Sequence, residues 1–364
     1  MLQLILSFII AFGVTFIIVP AIIAFSKKRE FFDQPGKRKI HTQSLPSLGG
    51  LAVICGFILP ILLWIPLYNF SDYSFIYGAV ALLLLLVMGV RDDLVPLRPI
   101  TKFVGQIVTA FIVVHLGETK LVSLYGLFGI EELPVWAGYG LSILVIIFIV
   151  NAFNLIDGVD GLASTIGVIA SVAFGIWFFL NGNILMYIIS FSMAGALLAF
   201  LKYNFTPSRI FLGDSGSMLI GFVSAVLALR FIQYNATLPI EDPNKMTAAP
   251  ILAICVMIIP IYDTLRLFLL RSLFKHSPFN SDKNHLHHLL IRLGMSHPKI
   301  TIILSSMSIV FIIIGYFGQE LGNLYLSAIL FVVLIALTLL IDYLLTIKYP
   351  SRIKQKKVFR QVAR

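Results

Sequence analysis

Two adjacent carboxylates, Asp92 and Asp93, stand in the run GVRDDLVPLRPITKFVGQ. Neighbouring carboxylates repel unless a cation or a shared proton relieves them. Mg2+ held by carboxylates plus substrate phosphates is the usual relief, although a solvated loop pair would read the same if this run stood alone. A second run, NAFNLIDGVDGLAS over 151–164, gathers two amides (Asn151, Asn154), two carboxylates (Asp157, Asp160) and two glycines directly after pure hydrocarbon. Such groups beside lipid are costly unless they are paired or bind something. Continued as a helix, the run puts Asn154, Asp157 and Gly161 on one face, with Asp160 about one turn past Asp157. A third run, YNFTPSRIFLGDSGS over 203–217, sets Asp214 between Gly213 and Ser215 at the start of an apolar segment. Alone it reads as a helix cap; as the fifth acid gathered on one face it reads as a ligand. A fourth, SPFNSDKNHLHHLLIRLG over 277–294, holds His285, His287 and His288, three of only seven histidines. On a helix His285 and His288 share a face. Zinc ligation and imidazolium donation to a pyrophosphate are both open, and the absence of nearby cysteine beside hard carboxylates favours the second.

The basic run KRKIHTQSLPSLGG (37–50), with Lys37, Arg38, Lys39 and His41, either binds phosphate or simply marks a cytoplasmic loop. His115, His276 and His297 read as structural or solvated.

The elements that must position these groups are membrane spans. The 364 residues are 59% hydrophobic and 12% charged, with a mean hydropathy of +0.97. Soluble domains run about 45–50% apolar and about 25% charged, so the solvent is largely lipid. The net charge of +10 sits between apolar segments and in the tail, which argues for an anionic leaflet rather than nucleic acid. Cys55 and Cys255 lie in apolar runs and support neither disulfide nor zinc ribbon. The first apolar stretch lacks a basic leader and runs into KKRE, so it reads as a retained span rather than a signal peptide.

Eleven apolar segments are long enough to cross: 2–25, 48–68, 73–90, 100–116, 135–153, 161–180, 183–201, 215–234, 248–274, 299–317 and 323–347. The expected fold is therefore an all-α integral membrane protein of about eleven transmembrane helices, one domain over 1–347 with a basic tail at 348–364. With the N-terminus outside, all but three of the 27 Lys and Arg residues (Lys120, Arg230 and Lys245) fall on the cytoplasmic side, together with the C-terminus. All four runs then meet one cytoplasmic edge. The outside segment 117–134 is expected to carry a short hairpin near 119–132, although Leu121, Ser123 and Leu124 do not alternate strictly.

The order RDD, NxxNxxDGxDGL, FLGDSGS and HLHH resembles the polyprenyl-phosphate N-acetylhexosamine-1-phosphate transferase superfamily, over about residues 33 to 294. The resemblance implies transfer of a sugar 1-phosphate from a UDP-sugar to polyprenyl phosphate in the cytoplasmic leaflet, releasing UMP, with Mg2+ or Mn2+. By motif, it makes Asp92 and Asp93 the paired aspartates, Asp157 and Asp214 metal ligands, and Lys102 the lysine that follows the pair. Asn151, Asn154, Asp160, Asn204, His285 and His41 are implied in substrate binding, and His287 and His288 in catalysis. DKNHLHHLL is similar to the branch that uses UDP-N-acetylglucosamine, the WecA and TagO enzymes. The stretch HTQSLPSLGG lacks the lysine of the peptidoglycan branch, which uses UDP-MurNAc-pentapeptide. Direct attack by the lipid phosphate, with Asp92 as base or orienter, competes with an aspartyl-phosphate route. A secondary transporter would place polar groups near mid-span, where this sequence is apolar. A homodimer is left open by the sequence.

Overall fold

The computed structural model describes residues 1–29, 45–65, 74–273 and 284–349. Lys37, Arg38, Lys39 and His41 lie outside the described residues. In chain order the helices begin with α1 (Leu2–Arg29), α2 (Gly49–Trp64), α3 (Ser74–Leu94) and α4 (Pro99–Phe111), which runs on into a π turn over Ile112–Leu116. Strands β1 (Ser123–Leu127) and β2 (Ile130–Glu132) precede α5 (Val135–Ile156), α6 (Leu162–Leu180), α7 (Ile184–Asn204) and α8 (Gly213–Thr237). The chain closes with α9 (Ala249–Val256), α10 (Ile258–Leu273), α11 (Leu286–Arg292), α12 (His297–Gly318) and α13 (Gly322–Lys348).

Over its described residues, each of the eleven apolar segments is a helix or a helix pair. Eight described stretches are long and apolar enough to cross a membrane, while α2 is shorter, and α9 and α10 form a pair bent by 88°. One of the eight, His297–Lys348, contains both α12 and α13. These fold back on each other, because the Tyr349 hydroxyl beyond α13 donates to the Arg292 carbonyl just before α12, at 2.9 Å. The protein is an all-α, multi-pass membrane protein.

Helix α8 is the axis of the bundle. In its most apolar window 89% of residues are buried, against 17% for α1, and α2, α3, α5 and α6 all pack on it. Lipid offers no hydrophobic drive for helix association, so close approach of small residues must supply it. Ser215, Gly216, Ser217, Gly221 and Ser224 give α8 that surface. Gly89 of α3 makes one such contact, where an added Cβ would lie 2.5 Å from the Ser215 Cα. Only glycine allows α3 to come this near, and Asp92 and Asp93 follow one turn later. Large apolar side chains such as Ile17, Val87 and Phe331 are exposed on the outer surface, as lipid-facing positions require.

At the opposite end from the aspartates, β1 and β2 pair antiparallel, with Ser123 across from Glu132 and Leu127 across from Ile130. The register is irregular between those pairs, and Tyr125 takes a left-handed conformation (φ 52°). That irregularity is why the sequence does not alternate strictly. The Tyr125 hydroxyl donates to the Ile232 carbonyl (3.0 Å) and accepts from Asn235 (3.0 Å), while Asn323 donates to the Tyr125 carbonyl (2.7 Å). Arg230, at the same end, donates to Ser74 Oγ and the Gly117 carbonyl, both at 2.8 Å.

Candidate active site

The acidic groups meet where helix ends converge. Asp92 and Asp93 close α3, Asp157 follows the last residue of α5, Asn204 ends α7 and Asp214 begins α8. Asp93 accepts the Asp214 amide on one oxygen (2.6 Å) and the Ser215 amide (3.1 Å) and hydroxyl (2.5 Å) on the other. It therefore caps α8, whose own N-cap position, Leu212, offers no side-chain bond. A carboxylate here also complements the positive end of the helix dipole. Asp214 is thereby freed from the capping role that the sequence left open for it.

Asp92 accepts the Leu97 amide at 2.6 Å and forms an ion pair with Lys102. The Lys102 ammonium also reaches the other side of the site, 2.9 Å from Asp214 Oδ2. Asn154 donates to Asp214 Oδ1 and to Ser217 Oγ at 2.9 Å. One lysine and one amide thus tie α3, α4, α5 and α8 into a single polar knot.

The knot borders a cavity of about 510 Å³ lined by Asp92, Asp93, Lys102, Asn154, Asp157 and Asp214, with Ser47, Asp160, Asn204 and His288 also on its walls. Ser47 arrives because Phe211 donates its amide to the Pro46 carbonyl (2.8 Å) and Gly50 donates to Leu212 (2.8 Å), laying the chain before α2 along the lead-in to α8.

Several expected positions differ. Helix α5 stops at Ile156, so Asp157, Asp160 and Gly161 do not continue a helical face with Asn154; residues 157–161 form a turn that ends with Gly161 at φ +75°. Asp157 stands at the cavity wall, its carboxyl held well above the usual range by loss of hydration and then by the charges of Asp214, Asp93 and Asp160. Asp160 accepts from Thr206 Oγ1 at 3.0 Å and lies 3.4 Å from His297 Nδ1, so His297 is packed against this turn. The Asn204 amide accepts from Gly161 N and donates to the Ile210 carbonyl, both at 3.0 Å; it brackets the turn to the loop before α8. Asn151 does not line the cavity. It points at Gln106 of α4, donating to its Oε1 at 2.7 Å, and also donates to the Ile147 carbonyl at 2.7 Å.

The histidines divide. His285 precedes α11 rather than belonging to it, so it shares no helical face with His288. Its ring lies parallel to that of His287, centroids 5.5 Å apart. His288 reaches the cavity. His287 is buried against the 157–161 turn, and burial holds its imidazole down at about 3, outweighing the pull of Asp263. That direction opposes the imidazolium donation that the sequence favoured for this segment. Sequence reasoning passed over Gln106, Asp263 and Arg266. Gln106 lies one turn after Lys102, and Asp263 and Arg266 are ionisable groups in an apolar helix, a signal that marks function by default.

Residues 75–232, from the start of α3 through most of α8, match the profile described as Glycosyl transferase family 4. A Bacillus subtilis (strain 168) protein named "Probable undecaprenyl-phosphate N-acetylglucosaminyl 1-phosphate transferase" is 31% identical over 312 residues, covering 85% of this chain and 84% of its own length. The chain belongs to this family. Other relatives of this family 4 member include the Mycolicibacterium smegmatis "Decaprenyl-phosphate N-acetylglucosaminephosphotransferase", 34% identical over 289 residues (74% of this chain, 71% of that protein). The Escherichia coli K12 "Undecaprenyl-phosphate alpha-N-acetylglucosaminyl 1-phosphate transferase" is 26% identical over 302 residues, covering 81% and 78%. In this family 4 chain the profile match contains all five acidic positions and ends before the histidine segment.

Proposed function

We propose that this protein transfers N-acetylglucosamine 1-phosphate from UDP-N-acetylglucosamine to polyprenyl phosphate and releases UMP, a phosphotransferase starting a lipid-linked surface polymer. The observation that carries this is the carboxylate knot around Lys102 at one end of an apolar bundle, open to a cavity large enough for a nucleotide-sugar diphosphate. The names of the relatives supply the transferred group and the acceptor; the UDP-linked donor is what the motif resemblance implies. In this reading the eleven apolar segments are eleven spans, the N-terminus is outside, and the cavity faces the cytoplasm across the cytoplasmic membrane.

Magnesium fits the donor set. Among the described residues no three His, Cys, Asp or Glu side chains form a ready cage, but Mg2+ is usually held by one or two carboxylates plus substrate phosphates. Asp157 and Asp214 are the residues that would hold it: Asp157 faces the charges of Asp214, Asp93 and Asp160 at the cavity wall, and Asp214 lines the same cavity. The bound ion would offset charge on the pyrophosphate and the leaving UMP. Lys102 adds a fixed positive charge between Asp92 and Asp214, where the phosphates must lie. Both Asp92 and Asp93 spend their oxygens on Leu97, Lys102 and the start of α8. That occupation favours direct attack by the lipid phosphate over an aspartyl-phosphate route.

The test is purified protein with undecaprenyl phosphate and labelled UDP-GlcNAc, UDP-GalNAc or UDP-MurNAc-pentapeptide. UMP release from UDP-GlcNAc, lost with EDTA and restored by Mg2+, is expected. Release only from the pentapeptide donor overturns the donor assignment, and full activity in EDTA overturns the metal.

A further inference from the structure

Asp263 takes no part in the cavity, yet it is only 1% exposed. It lies in the second turn of α10, just past the sharp bend from α9. One of its oxygens accepts the Leu286 amide at 2.6 Å, and the other meets His285 Nδ1 at 2.9 Å. Three residues on, and so on the same face, Arg266 donates to the Asn284 carbonyl at 2.9 Å. Helix α10 therefore grips three consecutive residues, 284 to 286, where the chain turns into α11.

That grip is passed on to the cavity. An ionised carboxylate only accepts, so His285 must present Nδ1–H to Asp263, which fixes both its tautomer and its ring plane. His287 stacks on that plane at 13°, and its ring centroid is 4.4 Å from that of His288 on the cavity wall. On its other side His287 fills the space beside Gly158, where an added Cβ would come 2.6 Å from Nε2. The position next to Asp157 must be glycine to admit the ring. A helix cap alone needs only the bond to Leu286. A buried acid is a costly way to gain stability, since apolar residues of similar size usually do as well or better.

We infer that Asp263 is a positioning residue for the proposed transfer: through His285 it sets the imidazole stack that backs the Asp157 wall and places His288 in the cavity. The inference rests on the transferase reading.

The test compares Asp263→Asn, His285→Asn and the double variant in detergent-purified full-length protein. Asp263→Asn keeps an oxygen for Leu286 but turns an NH2 toward His285, forcing the other tautomer. His285→Asn keeps a donor toward Asp263 and removes the ring. Each single variant is expected to lower kcat for UMP release by about 10–100-fold, the usual effect of losing an orienting partner. KM for UDP-GlcNAc should change much less, and the double variant should lose no more than the worse single. Full kcat in either single variant, or a double loss equal to the product of the two, overturns the inference. If Asp263→Asn does not fold, His285→Asn decides alone, because it preserves the cap. Should UDP-GlcNAc prove not to be the donor, the comparison is made with whichever of the three donors wild type uses. A wild type that releases UMP from none of them overturns both readings.

Discussion

Replacing Asp93 by Asn removes one negative charge and turns one of two acceptor oxygens into a donor. The carboxylate receives two backbone amides and one hydroxyl from the first turn of α8. The Ser215 hydroxyl can rotate to accept from the new amide, but one backbone N–H must lose its acceptor. An orphaned buried donor costs about 1–3 kcal/mol. Loss of charge at a helix N-terminus adds about 0.3–1 kcal/mol, and up to about 2 where partly buried. The expected destabilisation is about 2–4 kcal/mol, or roughly 30- to 1000-fold in the unfolding equilibrium. Reversible unfolding in mixed micelles, followed by fluorescence of the three tryptophans, reads this directly. Ser215→Ala is the control, since it removes only the hydroxyl and should cost about 1 kcal/mol. UMP release should fall below detection in Asp93→Asn and survive in Ser215→Ala. An Asp93→Asn protein no less stable than Ser215→Ala refutes the capping argument, and near-normal transfer removes Asp93 from the site.

Burial of His287 makes stability depend on pH. Its imidazole ionises at about 3 in the folded protein against 6.5 ordinarily, so the unfolded chain takes the proton first. The contribution is complete above about pH 6.5 and is lost toward pH 3, by up to about 1.4 kcal/mol per pH unit. His287→Asn should flatten the slope between pH 7 and 5 in the same unfolding titration; an unchanged slope assigns it to another group. The Gln106–Asn151 pair should behave as a unit. Either residue changed to Leu strands a buried amide at about 1–3 kcal/mol, whereas the double Leu variant should recover part of that loss. Strictly additive losses in the double variant would show that the two amides do not depend on each other.

The helices were legible because length and hydropathy are local properties. Every apolar segment became helical, and the runs that carry Asp92, Asp157, Asp214 and His288 came to one end of the bundle. The pairings were not legible, because they join distant residues. Nothing near Asp93 in the chain announces that its partner is the first turn of a helix 121 residues later. Asn151 and Asn154 are the same residue type three positions apart, yet one turns to Gln106 and the other to Asp214. Only the placement of α4 and α8 decides which faces the cavity. Periodicity likewise carried α5 too far, because the turn after Ile156 is held by Asn204 from the end of α7. The histidine spacing could not show that His285 stands before α11, because the acid that caps this helix, Asp263, belongs to another helix.

The burial of α8 has a consequence for how the protein is made. Asp93 and Gly89 leave the ribosome long before the segment whose first turn they receive. A newly inserted α8 lacks its cap until α3 docks on it, and it lacks the Asn154 bond until α5 does. Assembly and site formation are thereby coupled: a chain packed one turn out of register would not bring Asp93, Lys102 and Asp214 together.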